Sequence, residues 1–280
     1  MSAIISAVAL VLVVGLIAGI LLSFASKVFA VQEDQLYLDL RAELPGANCG
    51  GCGYAGCDDY AHALCNSHRA GDDSVSCTKC AVGGPDVAAK LASLMGAEAG
   101  DVEKQVSVVA CDGSPDHAKP LFAYSDKVGT CKAVKTLYGG SKLCTYGCIG
   151  LGDCVSVCAF DAIRVIDGVA TVDATVCTSC GMCIKACPQN LISLKPISAP
   201  VIVKCSNRDA GKAAMAVCKT ACIACHMCER TCRHDAIHVT KESNVAVIDY
   251  SKCIGCGACA EKCPKKCIHD MALKAKQESA

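Results

Sequence analysis

Two runs of cysteine constrain this chain more than anything else in it. Cys177-x2-Cys180-x2-Cys183-x3-Cys187-Pro188 and Cys253-x2-Cys256-x2-Cys259-x3-Cys263-Pro264 share one spacing down to the proline. A further cysteine cluster precedes each run, and these clusters also correspond. "CVSVCAFDAIRV" at 154–165 is echoed by "CERTCRHDAIHV" at 228–239. One unit with two clusters therefore occurs twice, offset by about 75 residues, a shorter period than most whole domains. Between its clusters the first unit reads as a hairpin: "AIRVIDGVATVD" is strand, Asp167-Gly168 turn, strand. The second has "AIHVTKESNVAVID", a strand, a polar turn and another strand. A short helix is expected after each cluster.

The chain holds 27 cysteines in 280 residues. Such density belongs to a disulfide scaffold or to a metal protein, and the redox compartment separates the two. Met1 to Ser26 carries no charge and is rich in Ile, Val, Leu and Ala, enough apolar helix to span a bilayer. No basic residue precedes this run, which argues against a secretory signal, although "KVFA" before Val31 imitates a cleavage site. Lys27 on the C-terminal flank places the rest of the chain on the cytoplasmic side. The expectation is a single-pass protein of the inner (cytoplasmic) membrane, in contact with lipid through residues 4–26, with its soluble domains in the cytoplasm. Thiols there stay reduced, which leaves metal as the use for the cysteines.

Runs of four cysteines with gaps of two, two and three suit a [4Fe–4S] cube. One turning segment places three thiolates, and the fourth cysteine, opening the next helix, ligates the neighbouring cluster. Zinc sites prefer two C-x2-C pairs around a longer insert. Cys222-x2-Cys225-x2-Cys228-x3-Cys232 has the same spacing with Arg233 in place of the proline. Cys144-x3-Cys148-x5-Cys154-x3-Cys158 is looser and has Ala159 there. Crossed ligation predicts four clusters. Cys144, Cys148, Cys154 and Cys187 hold one, and Cys177, Cys180, Cys183 and Cys158 the second. Cys222, Cys225, Cys228 and Cys263 hold the third, and Cys253, Cys256, Cys259 and Cys232 the fourth.

The stretch "NCGGCGYAGC" at 48–57 contains a G-x-G-x-x-G pattern. A dinucleotide turn needs a strand before it, and Leu44-Pro45-Gly46-Ala47-Asn48 is not one. The spacing of Cys49, Cys52 and Cys57 instead suits three corners of a fifth cluster. Cys65, Cys77 and Cys80 are candidates for the fourth corner, and Cys80, before "AVGGP", is preferred. Seven cysteines remain: Cys65, Cys77, Cys111, Cys131, Cys205, Cys218 and Cys267. Their default role is as small buried hydrophobes. Cys267 is expected beside a cluster, and Cys218, four residues before Cys222, competes as a ligand. A sixth cluster from Cys65, Cys77, Cys111 and Cys131 is not excluded, though no spacing supports it. His226, between ligand cysteines, reads as a polar neighbour.

The expected architecture is α+β: an anchor (1–30), a small Cys-rich iron–sulfur domain (31–100), a linker (101–143) and two tandem ferredoxin-like 2[4Fe–4S] units (144–200 and 201–280). Helices are expected within 31–48, on Leu36, Leu40 and Leu44, and over Pro85–Gly96. Net charge is zero but uneven. Residues 31–100 carry ten acidic and four basic side chains, and residues 201–280 eight and thirteen. The basic residues are scattered and stacking aromatics are missing, so no nucleic-acid partner is expected. No nucleophile–base pair or phosphate loop occurs, so no catalytic residue is assigned.

An anchor followed by "NCGGCGYAGCDDYA", "CAVGG" and "YGGSKLCTYGCIGLGDCVSVCAFDAI" resembles the B-type iron–sulfur subunit of the Rnf complex, the membrane ferredoxin:NAD⁺ oxidoreductase that pumps Na⁺ or H⁺. The likeness covers nearly the whole chain, and the second ferredoxin unit resembles the longer form of that subunit. It implies an electron-transfer subunit of an ion-translocating oxidoreductase with no independent catalysis, working with the other subunits of the complex and with soluble ferredoxin as donor. Ferredoxin would dock on the basic C-terminal unit, at Lys262, Lys265 and Lys266 among others, and the Cys49 cluster would be the exit toward membrane subunits. A polyferredoxin wiring another membrane enzyme, such as a hydrogenase, and a zinc scaffold are the rival readings.

Overall fold

The structure, a computed structural model, describes residues 2–28, 34–72, 74–98, 100, 103–122, 128–240 and 242–271. The "KVFA" junction, the first residues of the helix expected within 31–48, and the end of the second unit fall partly outside them.

Helix α1 (Ser2–Val28) has 27 residues, a length of roughly 40 Å at 1.5 Å per residue. Its stretch Ile4–Lys27 has mean hydropathy 3.0 and none of it is buried in the protein. By length and composition it can cross a membrane.

Helices α2 (Gln35–Glu43), α3 (Cys57–Ala70) and α4 (Gly84–Met95) form the next layer. Asp34 caps α2 by accepting from the Leu36 N–H. Pro85 lies in the first turn of α4, and Gly96 ends it at φ 66°, the left-handed conformation glycine adopts without a Cβ penalty. Leu40, Tyr60, Leu64 and Leu91 are fully buried where the three helices meet. Each contributes about 1.5–3 kcal/mol by burial. Packing, not helix propensity, therefore holds these short helices and the cysteine loops between them.

The remainder is built twice. In the first half β1 (Gln105–Val109) precedes α5 (Cys131–Tyr138), α6 (Asp153–Ser156), the hairpin β2 (Ile163–Ile166) and β3 (Val169–Val172), α7 (Met182–Ala186) and β4 (Ile192–Pro196). In the second, β5 (Val201–Val203) precedes α8 (Gly211–Val217), α9 (Met227–Thr231), the hairpin β6 (Ile237–Val239) and β7 (Ala246–Ile248), α10 (Ala258–Glu261) and β8 (Ile268–Asp270). Both hairpins are antiparallel, and the first turns on Asp167 and Gly168, both at positive φ, as a two-residue turn of this hand requires.

Each half is closed by an antiparallel pair of its first and last strands. Gln105 to Val109 face Pro196 to Ile192, and Val201 to Val203 face Asp270 to Ile268. Segment 101–143, expected as a linker, thus contributes a strand to the first ferredoxin-like unit. The stretch "QVSVVAC" at 105–111 reads as a possible strand, and β1 forms within it, but its membership of the unit rests on a partner strand some ninety positions on.

Candidate metal centres

Four cavities are each ringed by at least four cysteines. No disulfide joins any of the 27 cysteines, all of which lie among the described residues. Among the described residues no three His, Cys, Asp or Glu side chains converge closely enough to hold a single metal ion. Thiolates on one zinc would lie roughly 3.8 Å apart, given a Zn–S bond of about 2.3 Å. Cysteines spread around a cavity instead of meeting at a point fit a cube of iron and sulfide.

The N-terminal cavity is lined by Cys49, Cys52, Cys57 and Cys80. Asn48 positions this loop by accepting from the Cys57 N–H at 2.8 Å, at the start of α3. Cys65 and Cys77 do not line it. The Cys65 thiol donates to Asp34 (3.1 Å), and Cys77 lies 3.6 Å from the Met95 sulfur. Cys180 does reach the cavity, from the first ferredoxin-like unit. The approach depends on Gly51: a Cβ there would fall 2.5 Å from the Cys180 carbonyl oxygen. Two cysteine-bearing loops thus meet backbone to backbone. Gly51 belongs to this close approach.

Next to it lie Cys158, Cys177, Cys180 and Cys183. Burial pushes the Cys183 thiol up, the Ser107 hydroxyl at 3.5 Å opposes it, and the nearby Cys177, Cys180 and Cys158 add to the rise. Thiols so placed stay neutral until a metal takes their protons.

Another cavity is lined by Cys148, Cys154 and Cys187 together with Cys131. Cys144, grouped with the first three on sequence spacing, does not line this cavity but another. Cys131 opens α5, whose cap is Thr130. Asp153, adjacent to Cys154, accepts from the backbone N–H groups of Cys131 (2.7 Å) and Lys132 (3.0 Å). A carboxylate on the first turn of α5 therefore fastens Cys131 beside Cys154. Sequence reasoning missed Cys131, but a signal existed. "CTYGCIGLGDC" (144–154) aligns without gaps on "CKTACIACHMC" (218–228), which pairs Cys148 with Cys222, Cys154 with Cys228, and Leu151 with Cys225. The first unit has Leu151 where the second has Cys225, and Cys131 lines the cavity beside Cys148, Cys154 and Cys187.

In the second unit Cys228 is pushed up to about 11, by burial first and then by Cys222, Cys225 and Cys259 nearby. The Cys267 thiol, 1% exposed, lies 3.6 Å from the Cys263 sulfur, and its interaction with Cys222 and Cys263 holds both below the ordinary thiol value. It sits against sulfurs, as expected of a cysteine beside a cluster. Cys232, Cys253, Cys256 and Cys259 line a third of the four cavities. His226 bonds Glu229 at 2.6 Å, as a polar neighbour does. Cys111, Cys144, Cys205 and Cys218 line the fourth, between the two units.

An Fe-S cluster family model matches residues 44–73, and a 4Fe-4S binding domain model matches residues 170–193 and 246–269. Fold, cavities and family models together define an iron–sulfur protein of the [4Fe–4S] class, with one helix suited to a membrane. The chain is 48% identical over 269 residues to the B-type subunit of the Na(+)-translocating ferredoxin:NAD(+) oxidoreductase complex of Acetobacterium woodii, across 96% of this chain and 78% of that protein. It is 41% identical over 268 residues to its counterpart in the ion-translocating oxidoreductase complex of Methanosarcina acetivorans (95% and 98%). It is 35% identical over 289 residues to the counterpart in the proton-translocating ferredoxin:NAD(+) oxidoreductase complex of Clostridium ljungdahlii (100% and 99%). The chain belongs to this family, the B-type subunits of the Rnf-type ion-translocating oxidoreductase complexes. Its relatives are named for different ions.

Proposed function

We propose that this protein relays electrons from reduced soluble ferredoxin, through [4Fe–4S] clusters, to partner subunits of a membrane complex that reduces NAD⁺ and moves an ion. The observation that carries this reading is the contact between the N-terminal cysteine loop and Cys180 through Gly51. It joins the anchor-proximal site to the ferredoxin-like units instead of leaving it remote. Soluble domains on the cytoplasmic face of the inner membrane follow from Lys27 after the apolar helix.

The proposed ligand sets are Cys49, Cys52, Cys57 and Cys80; Cys158, Cys177, Cys180 and Cys183; Cys131, Cys148, Cys154 and Cys187; Cys222, Cys225, Cys228 and Cys263; and Cys232, Cys253, Cys256 and Cys259. When bound, each cluster supplies a one-electron couple. The residues of this chain hold the sites at fixed spacing, keep water off the sulfurs, and set the electrostatics around them through N–H and S–H donors.

The entry end is proposed at the Cys253 site. Cys256 is exposed, Ile254 beside it is 65% exposed, and Lys262 and Lys266 are exposed nearby in sequence. An acidic ferredoxin would meet cationic side chains around an apolar centre. Reduction of the anaerobically isolated complex by reduced ferredoxin tests this. Replacing Lys262, Lys265 and Lys266 with Glu is expected to slow the reduction about tenfold at low salt, with the difference closing by about 0.5 M salt as screening sets in. A rate indifferent to both charge and salt would place the donor elsewhere.

A further inference from the structure

We propose that Cys111, Cys144, Cys205 and Cys218 hold a sixth [4Fe–4S] cluster, seated between the two ferredoxin-like units with two ligands from each. The inference rests on the reading that the other cysteine cavities hold such clusters.

All four line one cavity, as four or more cysteines line each of the three other cavities. Cys111 and Cys218 are buried, at 6% and 8% exposure, and Cys144 and Cys205 are half-buried. The four are also equivalent in pairs. Cys111 stands two residues after β1 and Cys205 two residues after β5, while Cys144 and Cys218 each stand four residues before the first cysteine of the next site. The repeat of the chain thus places two cysteines from each half around a shared centre. No run of spacing within either half shows this, because neither half has more than two of the four.

The surroundings treat these sulfurs as hydrogen-bond acceptors. The Gly113 and Cys148 N–H groups both donate to the Cys111 sulfur at 3.3 Å. In the second half the Cys222 N–H donates to the Cys205 sulfur, also at 3.3 Å. Cys148 and Cys222 are equivalent ligands of the flanking sites, so the same link occurs on both sides of the centre. The Asn207 side chain, 2% exposed, donates to the Cys144 sulfur at 3.5 Å. A thiol is a weak acceptor, whereas a cluster-bound thiolate carries charge that such donors stabilise.

The two halves are stitched together around the cavity. Lys119 N–H donates to the Val217 carbonyl (3.0 Å), and Lys219 N–H to the His117 carbonyl (2.9 Å). Asp112, next to Cys111, lies 3.6 Å from the His269 ring and 3.9 Å from the Lys204 ammonium, both in the second half. A cluster here would bridge the Cys222 site and the Cys131–Cys148 site. An electron from the reduced second unit would pass through it to an oxidised site in the first.

Iron and acid-labile sulfide on the anaerobically isolated full chain test the proposal. About 24 of each per chain are expected, four per site at six sites, against about 20 for five. In the Cys111→Ser/Cys205→Ser chain iron is expected to fall by about four, with loss of one cluster signal by EPR and the Cys49-site signal kept. The Cys65→Ser chain, altered outside every site, is expected to keep its full content. About 20 irons in the parent chain, or one zinc beside 20 irons, would overturn the proposal even if the double variant failed to fold. A chain with no iron at all would instead overturn the reading on which it rests.

Discussion

Replacing Cys131 with serine is expected to remove about four of the irons, one cube, and Leu151→Cys in the same chain is expected to restore them. Cys131 lines the cavity of Cys148, Cys154 and Cys187, while the repeat puts Cys225 opposite Leu151. On the proposed ligand sets, the first unit takes from α5 a ligand that the second takes from its own loop. Serine keeps the volume of the side chain and loses the soft sulfur, so the fold should survive while the metal does not. The result is read by iron content and EPR, with circular dichroism to confirm the fold. Full iron in Cys131→Ser would mean that some other group completes the site. The same loss in Cys131→Ser with no recovery from Leu151→Cys would mean that the two loops differ in path.

Gly51→Val is expected to uncouple the anchor-proximal site while leaving every cluster in place. A Cβ at this position would meet the Cys180 carbonyl oxygen at 2.5 Å, and that atom is backbone, which cannot swing aside. The two loops must separate, at a cost of about 1–3 kcal/mol for overpacking. Electron delivery depends on the distance between the centres, so re-oxidation of the ferredoxin-like units by the partner subunits should slow as the loops separate. Stopped-flow bleaching of the clusters in the intact complex measures it. An unchanged rate with full iron content would exclude this contact as the exit.

Both expectations turn on features of different visibility in the sequence. The hairpin at Asp167-Gly168, the α4 helix between Pro85 and Gly96, and the spacing of Cys177 to Cys187 and Cys253 to Cys263 are local signals, and all are legible. The hairpins and helix depend on turn and cap residues a few positions apart, and the cysteine runs on a loop of fixed length. Cys80 is legible for a similar reason, because a glycine turn into a helix follows it. Cys131, Cys111 and Cys205 carry no such neighbours. They reach their cavities through β1–β4 and β5–β8 pairing, the hydrogen bonds from the start of α5 to Asp153, and the docking of one repeat on the other, contacts that span tens of residues. Cys144 and Cys148 are close in sequence, which suggests a shared site, but they line different cavities. The ungapped alignment of Cys144 with Cys218 shows that it stands outside the run.

The same physics explains why the fold tolerates so small an apolar core. Aromatic residues are 4% of the chain, and the buried residues of the ferredoxin-like units are chiefly Val, Ile, Ala and Cys. Cavities amid such cores leave their linings without packing partners. Clusters would fill these spaces and cross-link strands, hairpins and helices, so metal binding contributes directly to folding.

The most direct measurement is redox titration, followed by EPR, of the full chain purified without oxygen, with iron and sulfide counted on the same sample. A brown protein with at least about 20 irons and matching sulfide, whose clusters are all reduced by ferredoxin, is the expected result. A well-folded, colourless protein, or one carrying zinc in the cysteine cavities, would contradict it.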